Sequence, residues 1–291
     1  MSILVTGSTG RIGSQVVAQL AASGAGVRAL TRSPEKAVFP AGVTAVRGDL
    51  LDTDAMRDAL TGAKTLFLLV SNAPDELTQA INTLSLARES GVTGIVYLSV
   101  TRSAEFTDVP HFTGKHAVER MIEQMNLPAT VLRPSYFFQN DATARDPLTK
   151  AGLYVPPVGD KGVSMIDVRD IADAAVIELL RRDRAPTALP RAAYELSGPD
   201  ALTGTSLAAI WSQALGREVR YAGDDLDTFE KAVKTKAPAW LAYDLRAMMR
   251  RYQTEGATAT PADLDRLTTL LGRAPRSYRD FARETARGWQ A

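Results

Sequence analysis

The sequence predicts an α/β fold in which helices alternate with the strands of a doubly wound parallel sheet. A glycine-spaced turn follows a short apolar run at the N-terminus, within Val5–Gly13. Apolar runs of strand length then alternate with helical patterns up to Pro134, as in sheets built from right-handed parallel crossovers. The most hydrophobic run, Thr65–Val70, suits a central strand that is covered on both faces.

The composition limits the classes of function. The chain has 291 residues, 45% hydrophobic and 23% charged, which fits one large α/β domain or a nucleotide domain with a smaller second one. Its formal charge of +1 gives no reason to expect a nucleic acid or a membrane as partner. Without cysteines, and with only His111 and His116, it offers no disulfide, thiolate or histidine-rich metal centre. No apolar run approaches the roughly 20 residues of a membrane span and no signal pattern is visible, so we expect a cytoplasmic protein.

Three regularly spaced glycines follow the first strand, residues 3–5. Beyond them, Val16, Val17 and Leu20 fall on one helix face. Such glycines allow a tight turn and let a pyrophosphate approach the backbone, while the helix N-terminus supplies free N–H groups to the phosphates. This is the context of a Rossmann-type dinucleotide site. The residues expected to contact the dinucleotide here are Thr6, Gly7, Thr9, Gly10, Arg11, Ile12 and Gly13.

The end of the second strand, Val27–Thr31, indicates which dinucleotide to expect. In folds that bind NAD, an Asp or Glu about 20 residues after the glycines binds the ribose 2′-hydroxyl. Here Arg32 and Lys36 follow the strand, and a guanidinium binds a 2′-phosphate bidentately whereas a carboxylate repels it. We therefore predict NADP(H), with Arg11 as a second candidate for the 2′-phosphate. The alternative, an Arg32 that is merely solvated in a loop, stays open.

Two further strand ends add candidate cofactor residues. The third strand, Val43–Arg47, leads to Asp49 and Leu50, at a carboxyl end where doubly wound sheets place ligands. Asp49 either accepts a hydrogen bond from the adenine amine or is a turn residue, and the sequence does not decide between the two. The most hydrophobic strand ends at Val70 and Ser71, which we also expect to contact the cofactor.

The second half of the chain alternates less regularly. The segment His111–His116 is expected to precede a helix with a plain apolar face, and a sixth strand, Ala129–Arg133, is closed by Pro134. Residues 162–168 are predicted as a short strand and 193–196 as a seventh strand. Helices are predicted at about 75–90, 170–180, 205–215, 226–235, 238–251 and 261–271, with a small strand at 218–221.

Several motifs together carry a family resemblance. They are Thr6–Gly13, Thr31–Lys36, the run Leu127–Pro134 leading into Phe137–Asn140, Asp167–Ala172 and, more weakly, Gly272–Phe281. In these motifs, which span nearly the whole chain, the sequence resembles the NmrA-like, atypical branch of the short-chain dehydrogenase/reductase superfamily. The resemblance implies NADP(H) binding and activities such as reduction of quinones, azo and triphenylmethane dyes, and related carbonyl compounds. Some relatives bind the dinucleotide as redox-sensing regulators without evident catalysis.

The resemblance also implies two domains. We expect residues 1–134 plus about 168–199 to form the NADP-binding Rossmann domain. A smaller, mostly C-terminal α+β domain would consist of about 135–167 plus 200–291 and bind the substrate.

One departure from the superfamily pattern concerns catalysis. Typical members carry Tyr-x-x-x-Lys, with the tyrosine as general acid, whereas this chain has His111-x-x-x-Lys115. Histidine exchanges protons near neutral pH, so His111 is a candidate acid, and Lys115 is a candidate ligand of the nicotinamide ribose. The alternatives are a surface His111 and a solvated helix lysine at position 115.

The expected acceptor is a small aromatic or carbonyl compound. Either Ser99 or Thr101 would stand near it, and the aromatic side chains either stack on it or form core. Our leading hypothesis is an NADPH-dependent oxidoreductase, monomeric or homodimeric, that transfers hydride to a quinonoid, dye-like or carbonyl acceptor. The alternatives are a dinucleotide-sensing regulator and a redox-neutral epimerase or cyclase. The residues predicted to contact the substrate are Thr101, Tyr136, Phe137, Phe138 and Tyr154.

Overall fold

The computed structural model describes residues 2–290, which group into two compact units. The first unit runs to Val100 and includes Gly114–Arg133 and Arg169–Tyr194. The second comprises Thr101–Thr113, Pro134–Val168 and the chain from Glu195 onward. The segment Thr101–Thr113 thus groups with the second unit. The assignment of nucleotide to one domain and substrate to the other stays a prediction.

A seven-stranded sheet forms the centre of the first unit. Its strands are β1 (Ser2–Val5), β2 (Val27–Thr31), β3 (Val43–Arg47), β4 (Ala63–Leu68), β5 (Gly94–Leu98), β6 (Ala129–Pro134) and, after a short β7 (Leu153–Tyr154), β8 (Ala192–Leu196). Their order is β3-β2-β1-β4-β5-β6-β8, and the pairings that join β1 to β6 are all parallel. The predicted Rossmann-type α/β fold is confirmed. The order reverses between β1 and β4, the switch point at which such sheets bind ligands.

Helices connect the strands and make up most of the second unit. They are α1 (Gly13–Ala22), α2 (Thr53–Leu60), α3 (Glu76–Glu89), α4 (Pro110–Gln124), α5 (Phe138–Asp141), α6 (Val168–Arg184), α7 (Gly204–Leu215), α8 (Leu226–Lys234), α9 (Ala239–Glu255), α10 (Pro261–Leu271) and α11 (Tyr278–Gln290). The second unit also holds β9 (Arg220–Tyr221), which pairs in parallel with β7.

The core of the first unit follows from the apolar patterns. Val16, Val17 and Leu20 of α1 are fully buried, as their spacing along one helix face predicted. Leu66 and Phe67 of β4 are also fully buried, which is the condition of a central strand with helices on both faces.

One helix boundary differs from the prediction. The segment His111–His116 lies inside α4 and does not precede it. Pro110 opens the helix, where its missing N–H is no loss because the first amides of a helix have no partner in the helix. The residues that were expected to precede the helix form its first turns instead.

A second difference concerns residues 162–168, predicted as a strand. Within this segment Val163 forms single bridges with Leu202 and Ala257, Ile166 forms one with Phe137, and Val168 already begins α6. Because an apolar run of this length is buried equally well without a ladder, its hydrophobicity alone does not identify a strand. The terminal helix α11 was not predicted.

None of the helices in residues 2–290 has the length and apolar character that crossing a membrane requires. In that same part of the chain, His, Asp and Glu side chains form no group of three or more that could hold a metal ion.

Candidate functional site

The glycine turn between β1 and α1 is sterically closed to side chains. Gly7 has a φ of 60°, and the Gly10 N–H donates to the Gly7 carbonyl at 3.0 Å. A Cβ on Gly13 would lie 2.1 Å from the Gly7 oxygen, and one on Gly7 would lie 2.7 Å from Leu69 Cδ2. The turn is therefore as tight, and α1 as close to β1, as a dinucleotide fingerprint requires.

Two hydroxyl groups fasten this turn to the sheet. Thr6 Oγ1 accepts the Leu69 N–H at 2.9 Å and lies 2.8 Å from the Leu69 carbonyl, to which it donates. Ser8 Oγ donates to the Leu30 carbonyl at 2.6 Å. Both side chains are buried, so the Thr6 hydroxyl joins the ends of β1 and β4. The cofactor contact predicted for Thr6 stays a prediction. Ser8 was missed, and its only signal was a small hydroxyl side chain between two glycines.

The solvent-facing part of the turn leads into an uncapped helix. Thr9, Gly10 and Arg11 are exposed, whereas Ile12 is buried. Helix α1 has no side-chain cap and no acidic residue in its first turn. Its N-terminal N–H groups and the positive end of its dipole are thus open to an anion.

Cationic side chains surround the end of β2. Arg32 and Lys36 are exposed, and neither they nor Arg11 makes an ion pair within the described residues. Arg47 instead bonds to this segment, donating from Nη1 to the Arg32 carbonyl and from Nη2 to Glu35 Oε2, both at 2.9 Å. The loop backbone is therefore braced while the Arg32 guanidinium stays available for an anion.

The strand ends of β3 and β4 place the other predicted cofactor residues. Asp49 Oδ1 accepts the Leu51 N–H at 3.0 Å, which is the bonding of a turn residue. Its predicted contact with adenine stays a prediction. Leu50 and Val70 pack into one apolar cluster, and Ser71 after them is exposed.

Lys115 is held in an interior ion pair. Its Nζ lies 2.5 Å from Glu76 Oε1, with side chains only 12% and 10% exposed. The Nζ is also 3.4 Å from the Leu98 carbonyl, at the carboxyl end of β5, and 5.9 Å from the Tyr97 ring centroid. Burial raises the pKa of Tyr97 well above its ordinary value. This is not the position of a solvated helix lysine. Glu76 was missed, although an acid in the first turn after a central strand was a visible signal.

Glu119 of α4 is a second buried carboxylate, and it accepts a hydrogen bond from Ser99. The Ser99 hydroxyl donates to Glu119, and Arg133 donates to the same carboxylate from Nε at 3.1 Å and from Nη2 at 2.6 Å. Ser99 and Glu119 are both buried. Ser99 and Thr101 are the two hydroxyl residues predicted near the acceptor, and the Ser99 hydroxyl is thus already used in its hydrogen bond to Glu119. Thr101 belongs to the second unit, where its N–H donates to the Pro134 carbonyl at 3.0 Å.

His111, in the first turn of α4, is bound by an aspartate of α9. Its backbone N–H donates to Asp244 Oδ1 at 3.0 Å, and its Nδ1 lies in direct contact with Asp244 Oδ2. The exposed fractions of the two side chains are 13% and 2%. Asp244 was missed. Its signal was an acid at a position of α9 where the helical spacing expects an apolar residue.

The four aromatic substrate candidates occupy two environments. Phe138 and Tyr154 are fully buried core residues, whereas Tyr136 and Phe137 are half-buried. The Tyr154 hydroxyl donates to Asp141 at 2.9 Å. Burial raises the pKa of Asp141 to about 7. Nothing in the placement of Phe138 or Tyr154 supports ligand contact, so their predicted role stays a prediction.

The family model of the NmrA-like family matches residues 1–273 of the chain. The chain belongs to the NmrA-like family. It is 30% identical to the NAD(P)H azoreductase of Xenophilus azovorans, over 99% of both chains. It is 32% identical, over 98% of both, to a (4-alkanoyl-5-oxo-2,5-dihydrofuran-3-yl)methyl phosphate reductase of Streptomyces griseus.

A solved structure agrees with the fold. The triphenylmethane reductase of Citrobacter sp., determined as a complex with NADP(H), superposes with a TM-score of 0.82 at 25% identity. The match covers 98% of this chain and 100% of that one. The family resemblance carried by the motifs is therefore confirmed.

Proposed function

We propose that the chain is an NADPH-dependent oxidoreductase that reduces small, electron-poor conjugated acceptors such as quinones, azo compounds and cationic dyes. The observation that carries the proposal is the closed glycine turn at the switch point of the sheet. The steric contacts at Gly7 and Gly13 leave room there for backbone alone, which fits a pyrophosphate lying against the amides.

Different residues of the first unit would bind different parts of the cofactor. The amides of Arg11 and Ile12, before the open end of α1, would bind the pyrophosphate, since the Gly10 N–H is used within the turn. Arg32, together with Arg11, would bind the 2′-phosphate, since no carboxylate stands at the position that selects NAD. Residues at the ends of β3 and β4 would border the rest of the dinucleotide. They are Asp49, Leu50, Val70 and Ser71.

When bound, NADPH supplies a hydride, and the protein supplies orientation and protons. Lys115 is held near the end of β5 by Glu76, a position from which an ammonium can hold ribose hydroxyls. Burying a charge is costly unless it is paired, and Glu76 provides Lys115 with that partner. His111 is our candidate for the side chain that donates a proton to the acceptor, as a general acid.

The acceptor class rests on what the relatives reduce. The relatives described above are named as reductases of azo compounds, of an acyl-substituted dihydrofuranone and of triphenylmethane dyes. These molecules differ in size and charge, but each has an electron-poor atom within a conjugated system. Such an atom accepts hydride readily, so the side chains need to position the acceptor more than to activate it.

An acceptor panel tests the proposal. NADPH oxidation is followed by absorbance with a quinone, an azo dye, a cationic triarylmethane dye and an unconjugated ketone, each with NADH in parallel. We expect turnover with the first three and a preference for NADPH. Binding of NADPH without turnover by any acceptor would contradict the proposal and favour the alternative of a dinucleotide sensor.

A further inference from the structure

The contact between α4 and α9 in the second unit has the geometry of a histidine held by a carboxylate. Both oxygens of Asp244 are used on one residue, since Oδ1 accepts the His111 N–H at 3.0 Å and Oδ2 contacts Nδ1 of the ring. Nδ1 and Oδ2 are buried and have no other hydrogen-bond partner within residues 2–290. Within residues 2–290, His111 Nδ1 and Asp244 Oδ2 are therefore each other's only polar contact.

This two-point contact fixes the ring. The backbone bond sets where α4 begins relative to Asp244, and the side-chain contact sets the imidazole rotamer. The ring of Phe112 packs edge-on against the imidazole, with centroids 4.6 Å apart and planes at 85°. Because a carboxylate only accepts hydrogen bonds, the hydrogen of a neutral imidazole must stand on Nδ1. The other nitrogen, Nε2, is then the one atom of His111 through which protons can be exchanged.

We propose that Asp244 is a positioning residue that holds His111 in the Nδ1–H tautomer, so that Nε2 delivers the proton of the reduction. This inference rests on the proposed function. For a quinone, the two-electron reduction consumes one hydride from NADPH and one proton, and the products are NADP⁺ and the hydroquinone. The proton leaves Nε2 of the imidazolium, which solvent then reprotonates.

Acceptors differ in their need for this proton. A cationic triarylmethane dye becomes its neutral leuco form by gaining a hydride alone, so its reduction balances without a proton. The same enzyme should therefore depend on Asp244 and His111 for a quinone or a carbonyl compound and much less for a cationic dye. A role of Asp244 as a mere cap of α4 makes no such distinction, because loss of a cap affects folding and hence all acceptors equally.

The first experiment observes the tautomer directly, without cofactor or acceptor. The chain has only two histidines, so ¹⁵N-histidine labelling gives two sets of ring signals, and His116→Gln assigns them. We expect the neutral His111 ring to show a protonated Nδ1 and an unprotonated Nε2. In Asp244→Asn the tautomers should mix or reverse, because the amide offers a donor as well as an acceptor. An Nε2–H tautomer in the unsubstituted protein would overturn the proposal.

The second experiment compares acceptor classes in one preparation. In Asp244→Asn, kcat/KM for a quinone divided by kcat/KM for a cationic triarylmethane dye should fall about tenfold or more, a modest part of what general acid catalysis contributes. Glu255→Gln is the matched control, since it removes an exposed carboxylate of the same helix and should leave the ratio unchanged.

The outcomes separate the two claims. An unchanged ratio in Asp244→Asn, with both acceptors still reduced, would refute the positioning role and leave the proposed function standing. Failure of the unsubstituted protein to reduce any acceptor would instead refute the proposed function, while the tautomer measurement would still test the effect of Asp244 on His111. Circular dichroism of each variant excludes a loss of folded protein as the cause.

Discussion

Replacing Lys115 by Met is expected to destabilise the protein through the carboxylate left behind. The Lys115 Nζ lies 2.5 Å from Glu76 Oε1, and the two side chains are 12% and 10% exposed. Glu76 Oε1 has no hydrogen-bond partner within the described residues that would replace the lysine. Breaking a buried ion pair on one side costs about 3–5 kcal/mol. Because a tenth of each side chain reaches solvent, we expect the lower end, about 3 kcal/mol.

The double variant tests whether the unpaired charge is the cause. Lys115→Met combined with Glu76→Gln removes both charges of this pair, and its free energy of unfolding should return to within about 1–2 kcal/mol of the original value. Urea denaturation of the cofactor-free protein, followed by circular dichroism, measures all four forms of the cycle. The control is the Arg57–Glu89 pair, whose side chains are 53% and 56% exposed. There the coupling should stay below about 1 kcal/mol. A double variant that loses the sum of the two single losses would refute the reasoning.

Two other perturbations concern the phosphate site and the buried acid of the second unit. Arg32→Ala should weaken NADPH binding about tenfold or more, which is the contribution of one charge-assisted hydrogen bond. Calorimetry should show NADH binding unchanged. An equal loss for both dinucleotides would show that the arginine does not bind the 2′-phosphate. For Asp141, burial raises the pKa from its ordinary value of 3.8 to about 7, so the folded protein keeps a proton that the unfolded chain has lost. That contribution is complete below about pH 4 and is lost as the pH rises through 7. The stability advantage of the original protein over Asp141→Asn should therefore shrink between about pH 4 and 7 in urea denaturation and stay level above that range. A difference that is constant from pH 4 to 7 would contradict it.

Features that depend on neighbouring residues were predictable from the sequence. The glycine turn, the fully buried face of α1 and the strands up to β6 follow from spacing and local hydrophobicity. The positive φ of Gly7 and the close approach of Gly13 to the Gly7 carbonyl arise within the turn itself, so they needed no long-range information.

Features that depend on distant partners were not predictable. His111 and Asp244 are 133 positions apart, and nothing near either residue indicates the other. The same holds for Lys115, whose interior position follows from Glu76 on another helix. Sequence reasoning could name the polar residues of α4, but not whether they were solvated, because burial of a charge depends on a partner that only the fold supplies.

Ambiguous patterns account for the remaining differences. Residues 162–168 are apolar enough for a strand, yet they are buried through single bridges. Helix α11 was difficult to predict because it is rich in charged residues, so its apolar face is not obvious in the sequence. That face is formed by the buried residues Tyr278, Phe281, Ala282 and Ala286. For both, tertiary packing decided the structure where the local signal was divided.

The hydroxyl groups of Thr6 and Ser8 also bear on the entropy of cofactor binding. With their carbonyl and amide partners at 2.6–2.9 Å, they hold the turn in its sterically closed form by means of the chain's own hydrogen bonds. Ordering the backbone of one residue costs about 1–2 kcal/mol in conformational entropy. Here that entropy is lost when the chain folds and not when the cofactor binds. The dinucleotide would therefore meet a rigid, preorganised surface, and more of its interaction energy would remain as affinity.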